Sequence, residues 1–66
     1  MKKLIILDCS DSTVGVFTID TTPYTNDGDF EIATALDHIN EHYDVYYRAS
    51  EIEWMLSDID LSITIY

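Results

Sequence analysis

His38 and His42 stand four residues apart, a spacing that puts two imidazoles on one face of a helix and can hold a metal ion. Asp37 and Glu41 lie beside them, but the pattern supplies no third ligand from elsewhere in the chain. The HExxH arrangement also fails, because Ile39 and Asn40 follow the first histidine. The pair is therefore expected to face solvent. Asn26-Asp27-Gly28-Asp29, with Glu31, has the composition of a cation loop. Its register is wrong for an EF-hand, which would need an acid where Pro23 stands. A turn and a helix cap account for it. Cys9 has no basic neighbour to lower its pKa, and at the end of a core strand it is expected to be a buried, inert thiol. No serine-histidine-acid order can be assigned, and paired carboxylates need a cleft that a small two-layer domain rarely has. The expectation is a chain with no catalytic residue, no cofactor and no metal.

Asp8-Cys9-Ser10-Asp11-Ser12-Thr13-Val14-Gly15-Val16 superficially resembles the first phosphate loop of actin-like ATPases, with an apolar strand ending in Asp, a small-residue turn and a returning strand. The turn glycine is missing, and Asp8 and Asp11 would repel a phosphate. The other nucleotide-binding segments do not fit in 66 residues. An ordinary hairpin turn explains the stretch.

Local patterns predict the elements that carry these residues. Lys2 to Cys9, with Leu4, Ile5, Ile6 and Leu7 in succession, reads as a strand buried on both faces and so central. Thr13 to Asp20 is a second strand, with Val14 and Val16 on one face and Phe17 and Ile19 on the other, joined to the first as an antiparallel hairpin. Thr21 to Asp27, which contains Pro23, is a loop. From Asp29 to about His42, Phe30, Ala33, Leu36, Ile39 and Tyr43 form one helical stripe, with Ile32 alongside, and acids fill the first turn. The tail has two readings. Ser50-Glu51-Ile52-Glu53 has the form of a capping box that would start a short helix. Alternatively Ile52, Trp54 and Leu56 share one face of a strand, Asp58-Ile59-Asp60 turns, and Leu61, Ile63 and Ile65 alternate in a last strand. The hairpin is preferred, because a lone seven-residue helix is marginal. The sum is ββαββ: an α+β two-layer sandwich in which one helix crosses an antiparallel sheet of about four strands.

Thirteen Asp and Glu face three Lys and Arg, for a formal charge of -10. Lys2 and Lys3 open the chain, so from Leu4 onward Arg48 alone opposes the acids. Hydrophobic residues make up 47% of the sequence, which excludes a disordered acidic tail. Such a charge repels nucleic acid and anionic membrane and attracts basic surfaces. A single cysteine forms no internal disulfide, which fits a reducing compartment. Met1 to Leu7 imitates the opening of a signal peptide, but Asp8 ends the apolar run far too early. A cytoplasmic protein is expected.

Tyr43, Tyr46 and Tyr47 cluster before Arg48, and Tyr, Trp and Arg dominate binding hot spots. Trp54 and Tyr43 are assigned to the core, while Tyr46 and Tyr47 are open between covering the sheet and making contacts. Candidate partner-binding residues are Asp37, Glu41, Asp44, Tyr46, Tyr47 and Arg48. One sheet face is left uncovered, so a homodimer through that face or through the edge of the last strand is expected.

The order Leu4-Ile5-Ile6-Leu7-Asp8, Val14-Gly15-Val16-Phe17, Asp29-Phe30, Glu53-Trp54-Met55 and Leu61-Ser62-Ile63-Thr64-Ile65 resembles small acidic proteins encoded by phages and prophages of gut bacteria. That resemblance implies an inhibitor of host defence whose acids imitate the charge of DNA, blocking a basic groove on a nuclease. It also implies a strand at Trp54-Met55-Leu56. The competing expectation is a homo-oligomeric assembly module that binds a protein through Tyr and Trp.

Overall fold

Four consecutive apolar residues are buried on both sides only in a strand flanked by two others. A computed structural model describes residues 1–66 and places a strand on each side of this run; Leu4, Ile5 and Ile6 are buried, while Leu7 near the strand's end is exposed. In chain order the elements are β1 (Lys2–Asp8), β2 (Thr13–Ile19), β3 (Thr25–Asn26), β4 (Asp29–Phe30), α1 (Ile32–Tyr43) and β5 (Ile52–Ser57). The main sheet has the order β2-β1-β5, antiparallel throughout, so the first strand of the chain lies in the middle. Helix α1 crosses one face of it, an α+β arrangement of two layers.

Strand register divides the side chains between two faces. Leu4 pairs with Phe17 and Leu56, Ile6 with Gly15 and Trp54, and Asp8 with Thr13 and Ile52; these rows point at the helix. Leu4, Ile6, Ile19 and Ile52 meet Leu36 and Ile39 of α1 in a core of six residues. The alternate rows, Ile5 with Val16 and Met55, and Leu7 with Val14 and Glu53, make the face away from the helix, where Leu61 to Thr64 share a groove with them and Ile5 is buried. No helix is long and apolar enough to cross a membrane.

A belt of rings closes the sides of the two layers. Trp54 meets Phe30 at 5.3 Å, and Phe30 meets Tyr24 at 6.5 Å. Tyr24 reaches His38, which stacks on His42, and Tyr43 continues the belt to Phe17 at 5.1 Å. Trp54 is 38% exposed and Tyr43 48% exposed, so both are boundary residues rather than the core residues their size implied.

The structure corrects the expected elements at three places. Asp29 and Phe30 belong to the small hairpin β3–β4, and α1 starts only at Ile32. Asp27 and Gly28 both have positive φ, 53° and 84°, which makes a two-residue hairpin turn of the Asp-Gly kind. The first helical turn therefore holds no acid. Within α1 the buried residues are Ala35, Leu36 and Ile39, while Ala33 is exposed. Ser50 sits in a single 3-10 turn, Ala49–Glu51, and strand β5 follows it, so the strand reading of Trp54 holds and the capping box starts no α-helix. Leu61 to Ile65 is not a strand: no backbone hydrogen bond pairs it with the sheet. The main sheet thus has three strands rather than four, with the pair β3–β4 beside it.

Candidate functional site

Two segments converge at the end of the sheet where β1 turns into β2. Asp8, the last residue of β1, points toward the helix layer and is 5% exposed, the only buried charged residue. Its Oδ1 accepts hydrogen bonds from the Ser10 hydroxyl at 2.7 Å and the Ser10 N–H at 3.0 Å. The Ser10 hydroxyl is the main reason its pKa lies below the ordinary 3.8; the N–H groups of Ser10 and Asp11 add to it and outweigh the cost of burial. Ser12, at a φ of 56°, completes the turn.

The second segment follows α1. Asp44 ends the helix in the left-handed conformation that Asp and Asn tolerate. The chain then runs back alongside α1, held by Asn40. The Asn40 Nδ2 donates to the Tyr47 carbonyl at 3.0 Å, and the Tyr47 N–H donates to Asn40 Oδ1 at 2.9 Å. One side-chain amide thus replaces a strand partner for this residue. Tyr47 lies over Gly15 and meets the edge of Phe17 at 6.0 Å. A Cβ at position 15 would stand 2.5 Å from the Tyr47 hydroxyl and 2.8 Å from the Phe17 ring, so the glycine makes room for both. Burial, helped by the nearby Asp8 carboxylate, raises the Tyr47 pKa above 10.0 and keeps its hydroxyl protonated.

Between these segments lies a cleft of about 260 Å³, lined by Asp8, Asp11, Thr13, Val45, Tyr46 and Tyr47. Tyr46 is 77% exposed, and the Arg48 guanidinium sits over its ring at 5.6 Å while facing Glu51 at 3.7 Å. Arg48 thus spends its charge locally. The other cations, Lys2 and Lys3, pair with Asp58 and Asp60 at the far end of the sheet.

Asp37, Glu41 and Asp44 recur at four and three residues, and all are exposed. At about 100° per residue they form one stripe, opposite the buried side of α1. Asn40, which grips Tyr47, is one step round the helix, so the stripe borders the segment Tyr46 to Arg48. Asp37, Glu41 and Asp44 thus share the outer side of α1, and Tyr46, Tyr47 and Arg48 follow in the returning segment that Asn40 holds. Their aromatic members differ from each other: Tyr47 is half-buried and structural, and only Tyr46 is presented to solvent. Neither tyrosine covers the open sheet face. His38 and His42 are exposed and stacked at 5.6 Å, and no three His, Cys, Asp or Glu residues are grouped as metal ligands. Cys9 is exposed, not buried, because it follows the last strand residue on the turn.

Asp8, Asp11, Gly15 and Asn40 complete the site and were not legible as parts of it. Asn40 had a signal, since it is a polar residue between the buried Ile39 and the acid stripe. Protonating Asp8 gives a direct check on the geometry. Its folded pKa is depressed, so its carboxylate stabilises the fold above about pH 4 and that contribution disappears as pH falls through the lower folded value. Asp8→Asn should therefore melt below the parent at pH 7, and the gap between them should narrow at about pH 2. Thermal melts followed by circular dichroism at the two pH values measure it.

The geometry offers an acidic, aromatic-edged surface. Comparison of the chain with family models, with curated proteins and with solved structures finds no match.

Proposed function

We propose that this chain is a non-enzymatic interaction protein that occupies a basic, nucleic-acid-binding surface of another protein. The observation that supports it is the stripe Asp37, Glu41 and Asp44 beside the Asp8–Asp11 cleft, with no cation of the chain neutralising either. Carboxylates on this stripe are spaced about 4.5 to 6 Å along the helix axis. That is of the order of one to two phosphate steps of about 3.4 Å on a DNA strand. A positive channel built for phosphates can accept them, with Tyr46 as an aromatic contact at the border. The resemblance to acidic phage and prophage proteins supports a cytoplasmic defence nuclease of the host as the target.

The test uses purified DNA-cleaving enzymes, a CRISPR effector and a restriction enzyme among them, with DNA as the competitor. DNA should displace the chain, and affinity should fall at least tenfold between about 50 and 300 mM salt. The variant Asp37→Asn, Glu41→Gln, Asp44→Asn should weaken binding by about tenfold or more, while its circular dichroism is unchanged. Salt-independent binding, lost on Tyr46→Ala alone, would sink charge mimicry and favour an aromatic contact module. Binding to none of the enzymes would leave the acids with a solubilising role only.

A further inference from the structure

Between the tail and the sheet face turned away from α1 lies a groove of about 450 Å³. Ile5, Leu7, Val14 and Met55 form its floor, and Leu61 and Ile63 of the tail form a wall. No residue that lines it carries a charge. Ile5 is 4% exposed, so the tail already covers the middle of the sheet and leaves no flat face for another protein. The space that remains is a groove, in which Leu7, Val14 and Met55 stay roughly half-exposed. Sites for small organic molecules measure about 300–1,000 Å³ and are likewise mostly apolar with a few polar groups at fixed places. The tail makes no backbone hydrogen bond with the sheet, so this wall can shift to fit an occupant.

One charge stands at the rim. Glu53 is the cross-strand neighbour of Leu7 and lies two residues from Met55 on the same face of β5. Its Cβ is therefore about 5–7 Å from those of both floor residues. Glu53 takes part in none of the chain's ion pairs. Lys3, the one cation on this face, is already engaged: its Nζ donates to Thr18 Oγ1 at 2.6 Å and lies 3.9 Å from Asp60. The groove thus has an unpaired carboxylate at its rim and no free cation.

We propose that this groove binds a small amine, with an apolar body held between sheet and tail and a single ammonium group at Glu53. The uncharged lining dictates the body, because a charge buried there would have no partner. Glu53 dictates the head group. Together with a formal charge of -10 it draws a cation to the rim and repels carboxylates, sulfates and phosphates. An uncharged molecule of the same shape gains burial alone, whereas the amine adds a charge-assisted hydrogen bond to a carboxylate already in place. The exposed position of Glu53 leaves the ammonium group partly in water, so little solvation is lost. The groove lies on the layer opposite the acid stripe of α1, and its occupant is a free small molecule rather than a segment of the basic partner.

Octylammonium, octan-1-ol and octanoate share one alkyl chain and differ in head group, and titrating each into the full chain tests the proposal. The titrations run at about pH 7 and about 50 mM salt, below the micelle concentrations of the probes. Trp54, the only tryptophan and a neighbour of the groove, reports by fluorescence, and amide chemical shifts locate the contact. Saturable binding is expected in the order amine, alcohol, carboxylate, with at least about tenfold between amine and carboxylate. The shifts should gather on β1 and the tail and leave α1 unmoved. From hexylammonium to octylammonium, each added methylene should tighten binding by up to about fourfold. Glu53→Gln should bring the amine to the level of the alcohol and leave the alcohol unchanged. Val14→Asn and Ile63→Asn, both at exposed positions and so expected to keep the circular dichroism spectrum, should weaken amine and alcohol alike about fivefold. Absence of saturation with every probe, octanoate binding as tightly as octylammonium, or an amine preference that survives Glu53→Gln would each overturn the proposal. So would affinities untouched by both asparagine variants, or shifts centred on Asp37, Glu41 and Asp44, which mark a general attraction to acids. None of these readouts uses a nucleic-acid-binding protein, so the two readings stand or fall separately.

Discussion

Ile39→Ala leaves this chain largely unfolded at growth temperature. Ile39 is 1% exposed and joins Leu36 of α1 to Leu4, Ile6, Ile19 and Ile52 of the sheet. Truncating a fully buried isoleucine costs about 2–5 kcal/mol, through lost burial and the cavity left behind. A core in a domain of this size supplies roughly 3–5 kcal/mol in total, so one residue carries a cost comparable to the whole. Each kcal/mol shifts the melting midpoint of so small a domain by roughly 4–8 °C, and a fall of about 15 °C or more is expected. A circular dichroism melt measures it. A shift of only a few degrees would mean that the helix and sheet are not held together by this cluster. Ile39→Val, which removes one methyl group, should cost about 1 kcal/mol.

The neighbouring residue should matter for a different reason. Asn40→Ala removes both hydrogen bonds to Tyr47 and leaves a partly buried N–H and C=O without partners. The expected loss is about 2 kcal/mol, or roughly 10 °C in melting midpoint. The local effect is larger than the global one. Tyr46 and Arg48 flank the clamped residue, so the border of the acid stripe loses its shape, and binding to a basic partner should weaken although every acid is retained. Amide hydrogen exchange gives the decisive measurement: the Tyr47 N–H is protected in the parent and should exchange rapidly in Asn40→Ala. Asn40→Asp keeps the acceptor for that N–H but loses the donor, so it should protect the amide while losing part of the stability. Equal protection in all three chains would refute the clamp.

The core of this fold was legible because periodicity reports which side chains want to be buried. Leu4 to Leu7 required two flanking strands, and Leu36 and Ile39 at helical spacing required a surface to cover. The same signal failed at Leu61, Ile63 and Ile65. Alternation defines a face, but hydrogen bonds need a neighbour at the right register, and after Asp58-Ile59-Asp60 the tail crosses the sheet instead of pairing with it. At Asp27-Gly28 the letters fit a helix cap and a hairpin equally, and the bond from the Glu31 N–H to the Tyr24 carbonyl, a contact seven residues apart, decided between them. The candidate site was half visible. Its acids and tyrosines follow from type and spacing, but Gly15 and Asp8 enter it from another part of the chain, and only the β1–β2 register brings them there.

The central place of the first strand also governs the order in which the molecule can be completed. A chain emerging from the ribosome makes β1 first, and β2 can pair with it after one short turn. The opposite edge of β1 is matched by Ile52 to Ser57, so it waits more than forty residues for its neighbour. Until then Leu4 and Ile6 sit in a two-stranded ribbon that is not stable alone in water. The rate-limiting closure is therefore a long-range one, slower than expected from the chain's length, and a nascent chain halted in α1 should remain open to protease where the finished one is resistant.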